Sequence, residues 1–211
     1  MKITVFGAAG SVGAQVVTEA LSRGHQVTAV VRDPARFAEL PPAAAHRAGD
    51  AADPAAVAAL AAGQDLVVSA TRPPDGHEHD LVTAAKSLLT GLAGTPTRLL
   101  LVGGAATLTT PNGLRVLDDP QYMPPAYRPI ALACAAQHEA AREVPDVDWT
   151  YLSPPALLLP GERTGHYRLG TDALLVDAEG VSQISVADLA VAVLDEAEHP
   201  RHSRTRFTVA Y

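Results

Sequence analysis

The sequence predicts an α/β fold in which a doubly wound parallel sheet lies between two layers of helices. Short apolar segments alternate along the chain with segments of helical periodicity, as in successive β-α-β units. Several apolar segments are continuous, which is typical of strands buried on both faces. The 211 residues suit one domain, and neither a linker nor an internal repeat divides them. We therefore expect a single three-layer αβα domain over residues 1–211.

The first half of the chain predicts five strands and four helices. The first strand ends at Gly7, and a helix with apolar positions at helical spacing follows at once. Gly24 ends that helix, and Asp33 with Pro34 begins a short one. The expected strands are residues 3–6, 26–31, 46–49, 65–70 and 98–102, and the later helices are residues 54–62 and 81–92.

The second half of the chain is less regular. Residues of about 107–126 and 157–183 are irregular, and both segments are expected to cover a substrate, because ligands bind at the carboxyl ends of strands in open α/β sheets. Ser185, with Asp188 three residues later, predicts the start of the last helix, whose apolar stripe faces the core. The remaining elements are a helix over 127–143 and strands over 148–152 and 206–211.

The turn after the first strand carries the strongest functional signal. Its glycines have the spacing G-x-x-G-x-x-G between a strand and a helix. The first permits a tight turn, the second lets a pyrophosphate approach the main chain, and the third lets helix and strand pack closely. The helix N-terminus favours phosphate. We therefore predict a Rossmann-type dinucleotide site rather than an ordinary glycine-rich turn, with contacts from Gly7, Ala9, Gly10, Ser11, Val12 and Gly13.

The end of the second strand indicates which dinucleotide binds. An acidic residue at this place bonds the ribose 2′-hydroxyl of NAD, whereas an arginine accommodates the 2′-phosphate of NADP. Arg32 lies at the strand tip, and Arg36 one helical turn beyond Asp33; both form forked hydrogen bonds with phosphate. NADP(H) is the expected cofactor, with NAD as the alternative. Asp33 also suits a helix cap through Pro34, which would leave Arg32 solvated.

The later strand ends add less specific contacts. Asp50 and Ala51 follow the third strand and are expected beside the adenine. Ser69, Ala70 and Thr71 end the fourth strand and are expected beside the pyrophosphate and ribose.

Composition excludes several classes of partner. The net charge of -7 and pI near 5.5 argue against nucleic-acid binding, because phosphate backbones need a basic face. One cysteine, Cys134, forms no internal disulfide and is expected to be an inert buried helical thiol, typical of a reducing compartment. No signal peptide or membrane span is recognised. We expect a cytoplasmic protein, monomeric or homodimeric, that acts on a small molecule away from membranes.

These motifs together resemble an atypical short-chain dehydrogenase/reductase, of the group related to NmrA-like proteins and flavin (biliverdin-IXβ) reductases. The resemblance spans essentially the full length. It implies a Rossmann fold, and it adds Gly103, Gly104 and Pro154 to the expected cofactor contacts. The segments that carry it are residues 7–13, 103–105, 148–154, 161–168, 184–188 and 206–208.

The chain departs from typical short-chain dehydrogenases in its catalytic residues. Those enzymes use a serine after the fifth strand and Tyr-x-x-x-Lys, where the lysine lowers the pKa of the tyrosine. Here the only lysines are Lys2 and Lys86, and Ala131 stands four residues after Tyr127. Thr107 is the nearest hydroxyl to the serine position. Tyr127 and Thr107 are therefore the candidate catalytic residues, without an activating lysine.

Three further groups have weaker functional signals. His138, about three turns beyond Tyr127, is expected at the surface. Residues 76–80 include two histidines in a loop, but the sequence offers no third and fourth metal ligand, and no metal is expected. The last group comprises Arg163, His166, Tyr167 and Arg168. These residues could bind an anionic substrate or a partner subunit, or they could form a packed surface turn, and the sequence does not distinguish the two.

Three functions remain open. The first is an NADPH-dependent reductase of a conjugated acceptor such as a flavin or quinone, which needs little acid from the protein. The second, from the NmrA resemblance, is a non-enzymatic sensor of NADP(H). The third is an epimerase or dehydratase, which usually wants the Tyr–Lys pair that this chain lacks.

Overall fold

A computed structural model describes residues 1–211 and confirms the expected Rossmann-like α/β fold. The strands are β1 Lys2–Phe6, β2 Gln26–Val31, β3 Ala45–Ala48, β4 Leu66–Ser69, β5 Arg98–Val102, β6 Trp149–Ser153, β7 Leu157–Leu159, β8 Arg168–Gly170, β9 Gln183–Ser185 and β10 Thr205–Ala210. The helices are α1 Ser11–Ser22, α2 Pro54–Ala61, α3 Asp80–Leu92, α4 Arg128–Arg142 and α5 Val186–Glu198.

Eight strands form the central sheet, in the order β3-β2-β1-β4-β5-β6-β10-β8. Seven of them run parallel, so their carboxyl ends lie at one edge. The chain turns back across the sheet between β1 and β4, and such a reversal of strand order is where α/β sheets bind ligands.

The core has two halves, one on each face of the sheet. A cluster of 25 buried residues joins α1 and α5 to one face, and a cluster of 16 lies on the other face under α2, α3 and α4. Alternate residues of each strand supply the two clusters: Ile3 and Val5 of β1 belong to the first, and Phe6 to the second. The central strands are therefore covered on both faces, as their continuous apolar sequences predict.

Side-chain caps begin three helical segments, and the sequence predicted two of these caps, at Asp33 and Ser185. The Asp33 carboxylate accepts the Ala35 N–H at 2.9 Å, and the segment that follows is a 3-10 helix over Pro34–Glu39. Ser185 Oγ likewise accepts the Asp188 N–H at 2.9 Å and caps α5. Asp53 caps α2 in the same way. Local hydrogen bonding thus sets these boundaries.

One expectation about the second half of the chain was wrong. Residues 157–183 are not wholly irregular, since they contain β7, β8 and the start of β9. These strands have three residues each, too few to show a period in the sequence. The central sheet is mostly parallel, as predicted, and only the edge strand β8 pairs antiparallel, with β10. No helix is long and apolar enough to cross a membrane.

Candidate cofactor and active site

The glycine turn lies at the carboxyl end of β1, against the end of β4. Gly7 has φ +78°, and a Cβ there would stand 2.5 Å from the Ala70 carbonyl oxygen. A Cβ on Gly13 would stand 2.1 Å from the carbonyl oxygen of Gly7. Both distances are far inside van der Waals contact. Glycine is therefore required at both positions for the turn to fold between its neighbours.

Gly10 has a different surrounding. A Cβ on Gly10 would have only two protein atoms within 4 Å, the nearest being the Gly7 carbonyl oxygen at 3.2 Å. The Gly10 N–H donates to that oxygen at 2.9 Å, whereas the N–H groups of Ser11, Val12 and Gly13, in the first turn of α1, have no intrahelical acceptor. No side chain caps α1. The unfilled space and free donors fit the pyrophosphate of a dinucleotide.

Of the two arginines expected near the 2′-phosphate, only Arg36 has partners within the protein. Arg36 donates from Nη2 to the Ala9 carbonyl oxygen at 2.9 Å and pairs with Glu39 at 2.7 Å. Arg32 is exposed and makes neither a hydrogen bond nor an ion pair, while the Asp33 carboxylate is occupied by its cap. Arg32 is therefore the free cation at the tip of β2, and Arg36 lies against the glycine turn.

The remaining predicted cofactor residues lie along the same edge. Ser69 and Thr71 join their hydroxyls at 3.2 Å, which orders the end of β4 beside the glycine turn. Asp50 is exposed and accepts the Ala52 N–H at 2.9 Å, whereas the Ala51 side chain is buried in the core. Pro154 is buried directly after β6. The fold thus brings all these segments to one edge of the sheet.

Gly103 and Gly104 have a packing role that the sequence does not reveal. A Cβ on Gly103 would overlap the Tyr151 ring at 1.9 Å, and one on Gly104 would lie 2.8 Å from Cys134 Sγ. The Gly104 N–H donates to the Tyr151 hydroxyl at 3.3 Å, and that hydroxyl donates to the Cys134 carbonyl oxygen at 2.9 Å. Burial raises the pKa of Tyr151 well above its usual value, so the hydroxyl keeps its proton. This side chain fixes the turn after β5 against α4.

The sequence predicted that His138 lies at the surface, and this prediction was wrong. His138 is half-buried, and its ring lies 4.6 Å from that of Tyr151 and 6.4 Å from that of Trp149. Burial, with the nearby charge of Arg206, lowers the pKa of His138 to about 4. The imidazole is therefore neutral at neutral pH and packs as part of the aromatic layer between α4 and β6.

The two candidate catalytic hydroxyls differ in environment. Tyr127, just before α4, is 57% exposed and has no side-chain hydrogen bond, and Ala131 is buried four residues later. The Thr107 hydroxyl accepts a hydrogen bond from Nη1 of the buried Arg206 at 2.6 Å. Arg206 also pairs with Asp172. No side chain thus activates Tyr127. The Thr107 hydroxyl is bonded to Arg206, which the sequence did not predict as a site residue. Arg206 is the one charged residue of strand β10, and this was the signal available in the sequence.

The two expected covering segments contact each other. Thr109 donates its N–H to the Asp172 carbonyl oxygen at 2.8 Å and accepts the Leu174 N–H at 2.8 Å. Tyr122 donates its hydroxyl to the Gly180 carbonyl oxygen at 3.0 Å. Their apolar contact consists of Leu108, Val116 and Leu174. Residues 107–126 and 157–183 therefore form one packed cover beside the carboxyl ends of β5 and β6.

The basic and aromatic group of residues 163–168 binds the protein itself. Arg163 pairs with the buried Glu19 of α1 at 2.7 Å, and Tyr167 donates to Asp195 of α5 at 2.6 Å. Arg168 donates to the main-chain oxygen of Tyr211 at 3.0 Å. His166 is exposed. Of the two interpretations left open by the sequence, these contacts favour the packed turn.

The histidine loop before α3 is exposed. His77 and His79 have side chains 64% and 76% exposed, and each lies near Asp80. The chain contains no cluster of three or more histidine, cysteine, aspartate or glutamate side chains placed to hold a metal ion.

Comparison with known proteins identifies the family. A family model described as NAD(P)H-binding matches residues 7–197, from the glycine turn to the end of α5. The chain belongs to this NAD(P)H-binding family. Within it, the chain is 39% identical over 217 residues to the uncharacterized protein YwnB of Bacillus subtilis (strain 168), covering 99% of this chain and 98% of that protein.

Solved structures similar to this chain share its whole fold. One is a "putative NADH-flavin reductase" from Streptococcus pneumoniae TIGR4, with a TM-score of 0.90, 32% identity and coverage of 100% of this chain and 99% of that chain. Another is a "putative epimerase" from Bacteroides thetaiotaomicron, with a TM-score of 0.90, 37% identity and coverage of 100% and 96%. This chain therefore belongs to an NAD(P)H-binding family and has an oxidoreductase-like fold.

Proposed function

We propose that this NAD(P)H-binding protein is an NADPH-dependent reductase of a conjugated acceptor, such as a flavin or quinone. The observation that carries the proposal is a complete glycine turn without a proton-donating pair beside it: the two lysines, Lys2 and Lys86, lie outside this edge of the sheet. NADPH supplies a hydride when it is bound. A conjugated acceptor spreads the arriving charge and takes its proton from solvent. The name of the Streptococcus relative, with 32% identity, supports this acceptor class.

The residues of this chain supply binding and orientation. The free N–H groups of residues 11–13 hold the pyrophosphate, and Gly10 leaves the space for it. Arg32 provides a fork for the 2′-phosphate. The buried hydroxyl of Tyr151 fixes the turn after β5 through the Gly104 N–H. Proximity of two bound reactants then accounts for most of the acceleration.

The direct test is a stopped-flow measurement of NADPH oxidation against a panel of flavins and quinones, with simple ketones as the contrast. We expect stoichiometric oxidation with at least one conjugated acceptor and slow or no turnover of the ketones. Tight NADPH binding without turnover across the panel would contradict the reductase function.

Tyr127→Phe is expected to change kcat by less than about twofold, because no lysine activates this exposed hydroxyl. Steady-state kinetics with the best acceptor measure this. A loss of about a hundredfold or more, typical of removing a general acid, would instead make Tyr127 the proton donor.

Arg32→Ala is expected to raise the Kd for NADPH about tenfold, with the Kd for NADH unchanged, because the lost guanidinium contacts the 2′-phosphate alone. Fluorescence titration of both coenzymes against both proteins measures the four constants. An equal loss for NADPH and NADH would contradict the 2′-phosphate contact, and with it the preference for NADP.

The missing proton donor also favours a second candidate, an NmrA-like redox sensor without catalysis. In that case NADP⁺ and NADPH would differ in affinity, and occupancy would change association with another protein. Equal affinities together with rapid acceptor turnover would exclude the sensor.

A further inference from the structure

Two arginines flank the glycine turn. Arg32 follows β2 and Arg72 lies just beyond β4, and these strands are the two neighbours of β1 in the sheet. Both side chains are exposed, and Arg72, like Arg32, makes neither a hydrogen bond nor an ion pair. Binding of the coenzyme as proposed uses the arginine on one side of the turn and leaves the other free.

None of the acidic residues near Arg72 in the chain, which are Asp75, Glu78 and Asp80, forms an ion pair with it. Glu78 accepts the Gly76 N–H at 2.9 Å, and Asp80 lies 3.0 Å from His79. Arg72 is therefore available to an anion from outside the protein.

Arg72 lies on the side of the glycine turn that faces β5, because it follows β4, the strand between β1 and β5. Its charge opposes the effect of burial, which raises the pKa of the Cys134 thiol to about 11. Cys134 contacts the turn after β5, since a Cβ on Gly104 would lie 2.8 Å from its sulfur. Arg72, just beyond β4, therefore lies on the opposite side of β1 from Arg32.

The backbone around Arg72 is fixed. The preceding residue, Thr71, shares a hydrogen bond of 3.2 Å with Ser69, and the following residue, Pro73, is buried. A fixed backbone loses less entropy when the side chain binds a ligand.

We propose that Arg72 is a specificity-determining residue that binds an acidic group, a phosphate or carboxylate, on the acceptor. This inference rests on the proposed reductase function. The coenzyme phosphates already have the amides of α1 and Arg32, so the second arginine serves the second ligand. The preferred acceptors are accordingly conjugated rings with an anionic side group.

Flavin mononucleotide and riboflavin test this directly, because they share one ring system and differ by a phosphate. For the wild type we expect a KM about tenfold lower for flavin mononucleotide than for riboflavin. Arg72→Gln is expected to reduce this ratio to less than about twofold, leaving the riboflavin KM and kcat nearly unchanged. Arg142→Gln, which removes an exposed arginine paired with Glu139 on α4, is the matched control and should keep the wild-type ratio.

Three outcomes overturn the assignment of Arg72. One is an unchanged KM ratio in Arg72→Gln, and another is the absence of any preference in the wild type. The third is a higher Kd for NADPH in Arg72→Gln together with an equal change in the KM values of both flavins. That result would show that Arg72 contacts the coenzyme and not the acceptor.

Failure of the reductase function has a different signature. If neither flavin oxidises NADPH, equilibrium titration of both flavins into the NADP⁺ complex still tests Arg72. Tighter binding of flavin mononucleotide that is lost in Arg72→Gln supports the anion site without catalysis, whereas equal binding, or none, overturns it.

Discussion

Gly13→Ala is expected to lower both the stability of the domain and its affinity for NADPH. The new Cβ would lie 2.1 Å from the Gly7 carbonyl oxygen. Gly7 directly follows β1 and Gly13 lies in α1, so the two residues cannot move apart without shifting the strand or the helix. We expect a loss of about 3 kcal/mol in the free energy of unfolding. Thermal unfolding measures this as a fall in Tm of roughly 6–12 °C for a domain of this size.

Gly10→Ala separates binding from stability. Gly10 has φ -80°, which alanine adopts freely, and its Cβ would approach the Gly7 oxygen only to 3.2 Å. The free energy of unfolding should change by less than about 1 kcal/mol. The Kd for NADPH should rise about tenfold or more, because the methyl group occupies the space for the pyrophosphate. Unchanged NADPH affinity in Gly10→Ala would show that the pyrophosphate does not bind at this turn.

Asp188→Ala is expected to cost about 3–5 kcal/mol of stability. The fully buried carboxylate accepts the N–H groups of Thr164 and Gly165 at 2.9 and 2.8 Å and the hydroxyls of Thr164 and Tyr211 at 2.6 Å each. Alanine leaves these donors without an acceptor and removes the bonds that hold Thr164 and Gly165 to α5. Urea denaturation of both proteins measures the difference. Asp195→Asn, which changes a half-exposed carboxylate of the same helix, should cost less than about 1 kcal/mol.

The Asp188 contribution depends on pH in a defined direction. Burial raises the pKa of Asp188, but the hydrogen bonds from Thr164, Tyr211 and Gly165 outweigh it, so the pKa lies below the usual value of 3.8. The folded state thus binds this proton less tightly than the unfolded state, and the stabilisation is complete above pH 3.8. As the pH falls below that value, the stability difference between wild type and Asp188→Ala should narrow. A difference that stays constant would contradict an ionised Asp188.

The sequence alone determined the features that depend on neighbours in the chain. The glycine turn follows from residue size and spacing, and the caps at Asp33 and Ser185 follow from hydrogen bonds to N–H groups two or three residues on. The order of strands and helices follows from apolar periodicity. Each of these signals depends only on residues that are near one another in the chain, and it can therefore be recognised from the sequence alone.

Only the tertiary structure decided which distant residues meet. Arg206 and Thr107 lie 99 positions apart and share a hydrogen bond, and Arg163 and Glu19 lie 144 positions apart and form an ion pair. Tyr151 reaches Gly104 for the same reason, because β5 and β6 are adjacent in the sheet. Side-chain partners across such separations depend on strand order and on the packing of loops over the sheet. Composition and spacing contain neither kind of information. The sequence therefore predicted the glycine turn between β1 and α1, but not the long-range contacts along the rest of this edge.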